Sequence, residues 1–327
     1  MSNTVLVVPT IREKSVREFL TAWESYGLPK TIIVEDNPTR TFDLSRWKET
    51  ITHYSWEDID TELNSQSWII PRRTDGVRVF GFLKAMQAGA DTIITLDDDC
   101  LPIDKEFFVK HENALMGSKP TPAWGTPLLG GYRPRGIPYL QEQRVLPTVV
   151  NIGLWEEVPD YDAVTQLMQV RRPLICILGE GIAPIGVYLP VCGMNLAFRK
   201  KVFPSMYFLL MGQGYEFDRF GDIWCGIITK HICDHLRMAI SYGEPYVRHS
   251  KASKIFINLQ KETPGLSMNE TFWKVIDNIV LTSTTVAGCY REIALELPRQ
   301  LEGLYWKRLS VAMLEWLELV GRYYNES

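Results

Sequence analysis

The feature that most constrains the fold is an alternation of short apolar runs with amphipathic segments across the first hundred residues. The runs "NTVLVVPT", "KTIIVED" and "DTIITLDDD" predict buried strands, and each ends in polar or charged residues. Between them, "SVREFLTAWESYG" and "VRVFGFLKAMQAGA" carry apolar residues at helical spacing, and Gly27 is a predicted helix C-cap. Strands that alternate with helices predict an α/β fold with an open, mostly parallel sheet.

The polar residues that follow these strands are expected to lie together at one edge of the sheet. Thr10, the pair Glu35 and Asp36, and a triplet that begins at Asp97 all stand at the end of a predicted strand. In open α/β sheets, ligands bind beyond the carboxyl ends of the strands. The sequence therefore predicts a ligand site at this edge, with Arg12 able to stack on a base or reach a phosphate.

The triplet of aspartates after "TIITL" is the strongest chemical signal in the chain. Three adjacent carboxylates repel one another, and strand propensity does not favour them there. Mg²⁺ or Mn²⁺ would relieve that repulsion, because both prefer carboxylate and phosphate oxygens as ligands. Since alternate residues of an extended segment face the same way, Asp97 and Asp99 are predicted to point together and Asp98 away from them. A solvated acidic turn or a helix N-cap is the alternative.

Two later segments supply further candidates. "YVRHSKAS" places Arg248, His249 and Lys251 in what is predicted to be a loop, with cations for phosphate oxygens and an imidazole for a metal. A solvated basic turn is the alternative. Asp222 in "RFGDIWCG" either binds a sugar hydroxyl or a base, or caps the helix that follows.

Other functional classes find little support. The glycine-rich "GEGIAPIG" has no strand-Gly-helix arrangement and no Walker lysine, which argues against a dinucleotide site or a P-loop. His231 and His235 share a helix face, a spacing at which a zinc pair is conceivable. No Glu lies between them, and we therefore favour two surface histidines. No G-x-S-x-G segment is present for a serine nucleophile.

Composition sets the outer limits. A net charge of -4 and a pI of about 5.8 give no electrostatic footprint for nucleic-acid binding. No window approaches ~18 uninterrupted apolar residues, so no membrane span is expected. The six Cys include no CxxC pair, which favours reduced thiols in a cytoplasmic protein.

The second half of the chain is harder to assign. Residues 120–185 are rich in Gly and Pro and are predicted to form long loops over the ligand edge, interrupted by short helices. From Asn269 onward the pattern is helical, with one broad apolar stripe expected to cover either the main domain or a second subunit. The stripe consists of Tyr305, Trp306, Leu309, Met313, Trp316 and Leu317.

Several long strings resemble one known family. They are "VVPTIR", "IIVED", "RVFGF", "TLDDDC", "GLWEEVPDYDAVTQL", "PVCGMNLAF", "MYFLLMGQG", "GDIWCG", "ICDHL" and "YVRHSKAS", in order over residues 5–259. They resemble the reversibly glycosylated polypeptides, which include the plant UDP-arabinopyranose mutases of glycosyltransferase family 75. The resemblance implies a GT-A-like domain, assigned to 1–262, and the helical pattern that follows it predicts a C-terminal helical extension over 263–327. It also implies a cytosolic or Golgi-associated protein that forms homo-oligomers.

The resemblance further implies a UDP-sugar substrate and Mn²⁺ or Mg²⁺. Family members interconvert UDP-arabinopyranose and UDP-arabinofuranose, and they transfer a sugar from UDP-glucose or a similar donor reversibly onto one of their own arginines. Put together, the expected metal ligands are Asp97, Asp99 and His249; the expected nucleotide-binding residues are Thr10, Arg12, Glu35, Asp36, Arg78, Asp98 and Lys251; and the expected catalytic residues are Arg144, Asp162 and Asp222.

The chain departs from the family around the glycosylated arginine. An ungapped match puts Gln143 at that position and Arg144 one place later, so Arg144 is the candidate acceptor and Arg135 the fallback. A guanidinium is a poor nucleophile while protonated, and Asp162 or Asp222 is the candidate base. A conventional glycosyltransferase with a separate acceptor and a UDP-sugar-binding scaffold without turnover are the two alternatives.

Overall fold

The computed structural model describes residues 3–121, 135, 144–158, 160–168, 179–249 and 254–324. Its strands are β1 Thr4–Thr10, β2 Lys30–Glu35, β3 Ile51–Tyr54, β4 Thr92–Leu96, β5 Cys100–Pro102, β6 Ser118–Thr121, β7 Arg144–Glu157, β8 Gly181–Ile182, β9 Asn195–Arg199 and β10 Ala239–His249. Its α-helices are α1 Glu13–Glu24, α2 Trp56–Leu63, α3 Arg78–Gln87, α4 Phe107–Met116, α5 Ala163–Met168, α6 Gly221–His235, α7 Ile255–Asn278, α8 Val286–Gln300 and α9 Leu304–Gly321.

The strands form one open sheet in the order β3-β2-β1-β4-β9-β7-β10-β5, with β6 and β8 paired to β7 and β10. The three predicted strands, β1, β2 and β4, pair in parallel, and β3, which was not predicted, pairs with β2 in parallel. β9 is antiparallel to both β4 and β7, and β10 is parallel to β7, so the second half of the sheet is mixed. The predicted α/β fold, with an open sheet flanked by helices, is confirmed.

The two faces of the sheet are covered by different helices. Along β1, Val5 and Val7 join a buried cluster with side chains of α3, α6, α7, α8 and α9. Leu6 and Val8 face the other way, into a second cluster with α1 and α4. This alternation follows from the two-residue period of a strand buried on both faces.

Strand direction decides which residues meet at the edge. β9 reverses the direction of β4, and β7 reverses it again, so β4, β7 and β10 all run the same way. The carboxyl ends of β1, β2, β4 and β10 therefore lie at one edge of the sheet. His249, at the end of β10, therefore lies at the same edge as the segment that follows β4.

Two segments predicted as loops are strands. Residues 144–157 form β7 in the middle of the sheet, so the prediction of loops across 120–185 was wrong there. Arg248 and His249 belong to β10, not to a loop. The loop signals misled because Gly153 and Asn151 lie inside β7 for tertiary reasons: Asn151 accepts a hydrogen bond from Ser241 of β10, and a Cβ at Gly153 would collide with Asn195 of β9.

The C-terminal helices are built onto the core of the sheet. All six residues of the predicted stripe are buried, in the cluster that contains the α3 face of the sheet. Trp316 donates to the carbonyl of Pro204, and Tyr305 donates to the carbonyl of Leu210. The stripe thus covers the main domain, and the boundary expected at 262/263 falls inside α7. In the described ranges, no helix combines the length and apolar character needed to cross a bilayer.

Candidate active site

Two adjoining cavities open at the carboxyl edge of the sheet. The large cavity has a volume of about 410 Å³ and the small cavity about 380 Å³. They share a wall of seven residues: Arg12, Arg73, Thr74, Asp75, Arg78, Asp97 and Arg219. Because of this shared wall, the two cavities form one continuous groove with a charged junction.

Asp97 faces the junction and is paired with a buried arginine. Arg78 lies at the start of α3 and is 1% exposed, and its Nη2 donates to the Asp97 carboxylate. Its Nη1 donates to Thr95 of β4 at 2.9 Å and to the carbonyl of Gly193 at 2.5 Å. The polar Thr95 inside an apolar strand is therefore an anchor for this arginine. Arg78 is a structural counter-charge that fixes the end of β4.

Asp98 lines the small cavity and Asp99 the large one, and the Arg12 guanidinium pairs with both carboxylates. Its carboxylate accepts from the Thr10 hydroxyl at 2.6 Å and pairs closely with the Arg12 guanidinium. Burial raises the pKa of Asp98 above its ordinary value, although these hydrogen bonds act in the opposite direction. Thr10, Arg12 and Asp98 thus come together as predicted, in one hydrogen-bonded unit.

Asp99 faces the large cavity beside His249. The Nε2 atom of His249 lies 3.9 Å from the Asp99 carboxylate, and its Nδ1 lies 2.8 Å from the carbonyl of Val158. Because a carbonyl only accepts, Nδ1 carries a proton, and Nε2 is the ring nitrogen that faces Asp99. Burial, and next the charge of Asp97, raise the pKa of Asp99 to about 6.

Asp222 lies in the first turn of α6, on the wall of the large cavity. Its carboxylate accepts the backbone N–H groups of Gly193 at 2.8 Å and of Ile223 at 2.9 Å. Burial, and next the charge of Asp75, raise the pKa of Asp222 to about 7. A carboxyl group with this pKa exchanges a proton near neutral pH. Asp162 also lines the large cavity, where it is exposed and caps α5 through the backbone N–H and hydroxyl of Thr165.

The two acidic residues at the end of β2 have different surroundings, and only one of them lines the groove. Asp36 lines the small cavity, where it accepts from the indole of Trp56 at 2.7 Å and from the backbone of Arg73 at 3.0 Å. Glu35 lines neither cavity: its carboxylate is turned into its own loop, toward Thr41 and toward His53 of β3. Burial alone raises the pKa of Glu35, but the hydrogen bonds from that loop bring it below its ordinary value. The structure therefore does not bring Glu35 to the groove.

Arg144 lies at the opposite edge of the sheet from the groove. It begins β7, whereas Glu157 at the other end of that strand pairs with His249. Thirteen steps of about 3.3 Å separate the two ends by roughly 40 Å along the strand. The backbone of Arg144 pairs with Thr121 of β6, and the side chain of Arg144 lies outside the described part of the structure. Lys251 lies outside them entirely, and Arg135 is described only as an exposed turn residue.

Sequence reasoning missed several charged residues of the groove. Arg73, Asp75 and Arg219 stand at the junction, and Asp160 and Glu262 line the large cavity. They come from loops and from α7, where charged residues look like ordinary surface. One signal was available for Arg219, since "DRFGD" packs two carboxylates and an arginine just before a helix.

The charge balance of the large cavity is acidic. Its described lining carries eight carboxylates against five arginine or lysine side chains. No group of three candidate metal ligands converges anywhere in the described ranges. Asp99 and His249 form a pair, while Asp97, the third predicted ligand, is occupied by Arg78.

The other histidine pair has different partners. His231 and His235 of α6 lie 2.8 Å from the carbonyls of Ile279 and Ser283, respectively. Both ring nitrogens involved must donate, so these residues attach α6 to the segment before α8. A zinc pair at this spacing is therefore not supported.

The open sheet, its flanking helices and the charged groove at its carboxyl edge define an α/β protein with a ligand site of the kind found in nucleotide-dependent enzymes. The family described as "Reversibly glycosylated polypeptide" matches residues 2–324, and the chain belongs to this family. It is 35% identical to "Probable UDP-arabinopyranose mutase 1" of Solanum tuberosum, over 96% of this chain and 88% of the relative. It is also 35% identical to "UDP-arabinopyranose mutase 1" of Arabidopsis thaliana, over 96% and 90%.

Solved structures with a similar course of the chain include the glucosyl-3-phosphoglycerate synthase of M. tuberculosis. That structure has a TM-score of 0.48 and 16% identity, and the match covers 86% of this chain and 85% of the other. A complex of the same enzyme with Mn²⁺, uridine diphosphate and phosphoglyceric acid has a TM-score of 0.43 and 16% identity, over 84% and 76%.

Proposed function

We propose that the protein is a cation-dependent UDP-sugar mutase that interconverts UDP-arabinopyranose and UDP-arabinofuranose. Its relatives carry the name UDP-arabinopyranose mutase. The observation that carries the proposal is the pair of Asp99 and His249, 3.9 Å apart, at the carboxyl edge of the sheet. It is supported by family membership across almost the whole chain. The five described cysteines are free thiols, which suits the proposed cytoplasmic location.

The donor set of the groove fits a hard divalent cation. Asp99 offers carboxylate oxygens, the ligands that Mn²⁺ or Mg²⁺ prefer, and His249 offers an imidazole nitrogen beside them. Two protein ligands are enough when diphosphate oxygens and water complete the shell, which matches the lack of a three-residue cluster in the described part of the chain. A bound cation would neutralise charge on the diphosphate as it leaves the sugar.

The two cavities divide the substrate between them. We assign the small cavity, with Thr10, Asp36 and Asp98, to the nucleoside, because carboxylates there accept from ribose hydroxyls or a base N–H. We assign the large cavity to the sugar. Asp222, whose pKa is raised to about 7, holds or returns the proton of a sugar hydroxyl when the ring opens and closes. Lys251 remains a proposed phosphate ligand and Asp162 a proposed base.

Transfer of sugar onto the protein's own Arg144 is the finer part of the proposal. The scaffold alternative loses its main support, because the aromatic stripe that was its candidate interface is buried against the sheet domain. A conventional transferase remains an outcome of the experiment.

The experiment is incubation of the purified chain with UDP-arabinopyranose and Mn²⁺, followed by chromatography of the nucleotide sugars. Formation of UDP-arabinofuranose, lost in Asp99→Asn and in EDTA, is expected. A parallel incubation with labelled UDP-glucose distinguishes label on the denatured chain from label on an added acceptor. Tight UDP binding without any turnover would instead indicate a binding protein, and no UDP binding at all would refute the proposal.

A further inference from the structure

The loop before α6 has an unusual backbone at a residue that lines the groove. Arg219 has a φ of 64°, in the left-handed region that a non-glycine residue adopts only at a cost. Strained residues of this kind persist where surrounding structure holds them, and they concentrate at functional sites. Arg219 lines both cavities, so it stands at their junction.

Helix α7 holds this loop at three successive residues. Lys261 pairs with Asp218 at 2.9 Å. Glu262 accepts a hydrogen bond from Nε of Arg219 at 2.8 Å. The third contact is steric: a Cβ built on Gly265 would lie 2.3 Å from the ring of Phe220, so helix and loop are in close contact there. The C-terminal helical region therefore fixes a wall of the groove.

Glu262 joins two separate walls of the large cavity. It is 4% exposed, and its second carboxylate oxygen accepts the backbone N–H of Ala163 at 2.7 Å. Ala163 directly follows the cavity-lining Asp162. Both carboxylate oxygens of Glu262 are thus occupied, and the side chain has little freedom to move.

The four arginines of the junction have different partners. Arg12 pairs with Asp98 and Asp99, Arg78 pairs with Asp97, and the guanidinium of Arg73 lies 5.5 Å from the ring centroid of Trp56. Among the described residues, the hydrogen bond that Arg219 makes uses Nε alone, so both terminal nitrogens keep their donors. A planar guanidinium with two free terminal nitrogens matches the oxygens of a phosphate group.

We propose that Arg219 binds the diphosphate of the UDP-sugar, and that Glu262 is a positioning residue through which α7 aims it at the junction. This inference rests on the proposed function, because a diphosphate between nucleoside and sugar must cross the junction of the two cavities. The shared chemistry is anion binding by an arginine that is held in place before the ligand arrives.

The test uses Arg219→Gly, because glycine accepts a φ of 64° and the variant should fold without the side chain. Arg237→Gly is the matched control: Arg237 has a φ of 56°, is exposed and lines neither cavity. Binding of UDP and of uridine is measured by calorimetry with Mn²⁺ present. UDP affinity is expected to fall about tenfold to about a hundredfold in Arg219→Gly, while uridine affinity stays unchanged. Arg237→Gly should bind both as the unmodified chain does.

Three results separate the possibilities. Unchanged UDP affinity in Arg219→Gly overturns the assignment, and so does an equal loss for UDP and uridine, because the arginine would then act on the nucleoside or on the fold. An unmodified chain that binds no UDP overturns the proposed function itself. If Arg219→Gly does not fold, Arg219→Gln removes the charge with a side chain of similar reach, and unaltered UDP affinity there has the same meaning.

The role of Glu262 has its own readout. Glu262→Ala is expected to weaken UDP binding in the unmodified chain but to add nothing in the Arg219→Gly background, because it acts through Arg219. An equal effect of Glu262→Ala in both backgrounds would remove Glu262 from the proposal.

Discussion

At the scale of single residues, three adjacent aspartates have three different environments. Asp97 is held by the buried Arg78, Asp98 by Thr10 and Arg12, and Asp99 faces His249. The two-residue period of an extended segment predicted that Asp98 would face away from the other two. In the structure residues 98–99 form a turn, Asp97 lines the same small cavity as Asp98, and Arg12 pairs with both Asp98 and Asp99. The period gave no sign of these partners, because they come from distant parts of the chain.

This division predicts that neighbouring aspartates respond differently to the same substitution. Asp99→Asn should abolish the Mn²⁺-dependent part of UDP binding without lowering the melting temperature. The ion pair it loses is with the partly exposed Arg12 at 3.3 Å, which contributes little. The pKa of Asp99 is already raised to about 6, chiefly by burial, so the fold tolerates a neutral side chain there. Asp97→Asn should lower the free energy of unfolding by about 1–3 kcal/mol, because it deprives the buried Arg78 of an ionised acceptor. Thermal unfolding and UDP titrations with Mn²⁺ or EDTA measure both.

The control for these variants is Asp91→Asn. Asp91 also pairs with a cation, Lys200 at 2.7 Å, but on the exposed surface, where an ion pair contributes little. Its substitution should change neither stability nor binding appreciably. Persistence of Mn²⁺-dependent UDP binding in Asp99→Asn would contradict the metal assignment.

Asp222 predicts a dependence of stability on pH. Its pKa is raised from 3.8 to about 7 in the folded protein, so folding favours the protonated form. The stabilisation is fully present below pH 3.8 and is lost as the pH rises through about 7. Asp222→Asn stays neutral and keeps an oxygen for the N–H of Gly193, so it should equal the unmodified chain near pH 4 and exceed it in stability at pH 8.

Melting temperatures of both chains across this pH range are the measurement. Asp75 also has a raised pKa and titrates in both chains, so the difference between the two curves reports Asp222 together with its interaction with Asp75. A difference that does not grow with pH would show that Asp222 ionises freely. It would also remove the reason to regard Asp222 as a proton carrier in the sugar reaction.

At the scale of elements, the sequence predicted those whose pattern is local. The runs that form β1, β2 and β4 are uniformly apolar, and α1, α3 and α6 have helical periodicity. β7 was missed because it contains residues that are unusual in strands and whose partners lie in distant parts of the chain. Asn151, for example, lies 2.9 Å from the ring of His111 and donates to the carbonyl of Glu244. Such partners cannot be deduced from the residues on either side of β7.

The contact of α7 with the groove predicts an effect of one added methyl group. In Gly265→Ala the new Cβ would overlap the buried ring of Phe220, next to Arg219. The loop must shift, which should cost about 1–3 kcal/mol of stability and weaken UDP binding. Thermal unfolding and UDP calorimetry are the measurements.

Gly321→Ala in α9 is the control for the added methyl group. Its Cβ would meet no atom within 4 Å, and alanine has the higher helix propensity, so this variant should be neutral or slightly stabilised. If Gly265→Ala binds UDP as tightly as Gly321→Ala does, then α7 does not control the groove.

At the scale of the whole molecule, strand direction separates the proposed acceptor from the proposed active site. His249 and Glu157 pair at the carboxyl edge of the sheet, and Arg144 begins the same strand as Glu157 at the opposite edge, roughly 40 Å away. The sequence comparison that singled out Arg144 contained no information on this separation, because β7 was not predicted as a strand. We therefore expect that a sugar bound beside Asp99 does not reach Arg144 of the same chain.

It follows that any transfer onto Arg144 takes place between two copies of the chain, in keeping with the proposed homo-oligomer. The experiment mixes Asp99→Asn, which keeps the acceptor but should not bind the donor, with Arg144→Ala, which keeps the donor site. Neither variant alone should incorporate labelled sugar from UDP-glucose. The mixture should label the Asp99→Asn chain, identified by a mass tag, and the rate should rise with protein concentration. Label at Arg144 that forms at a rate independent of dilution would contradict the separation, and label at another residue would move the acceptor elsewhere.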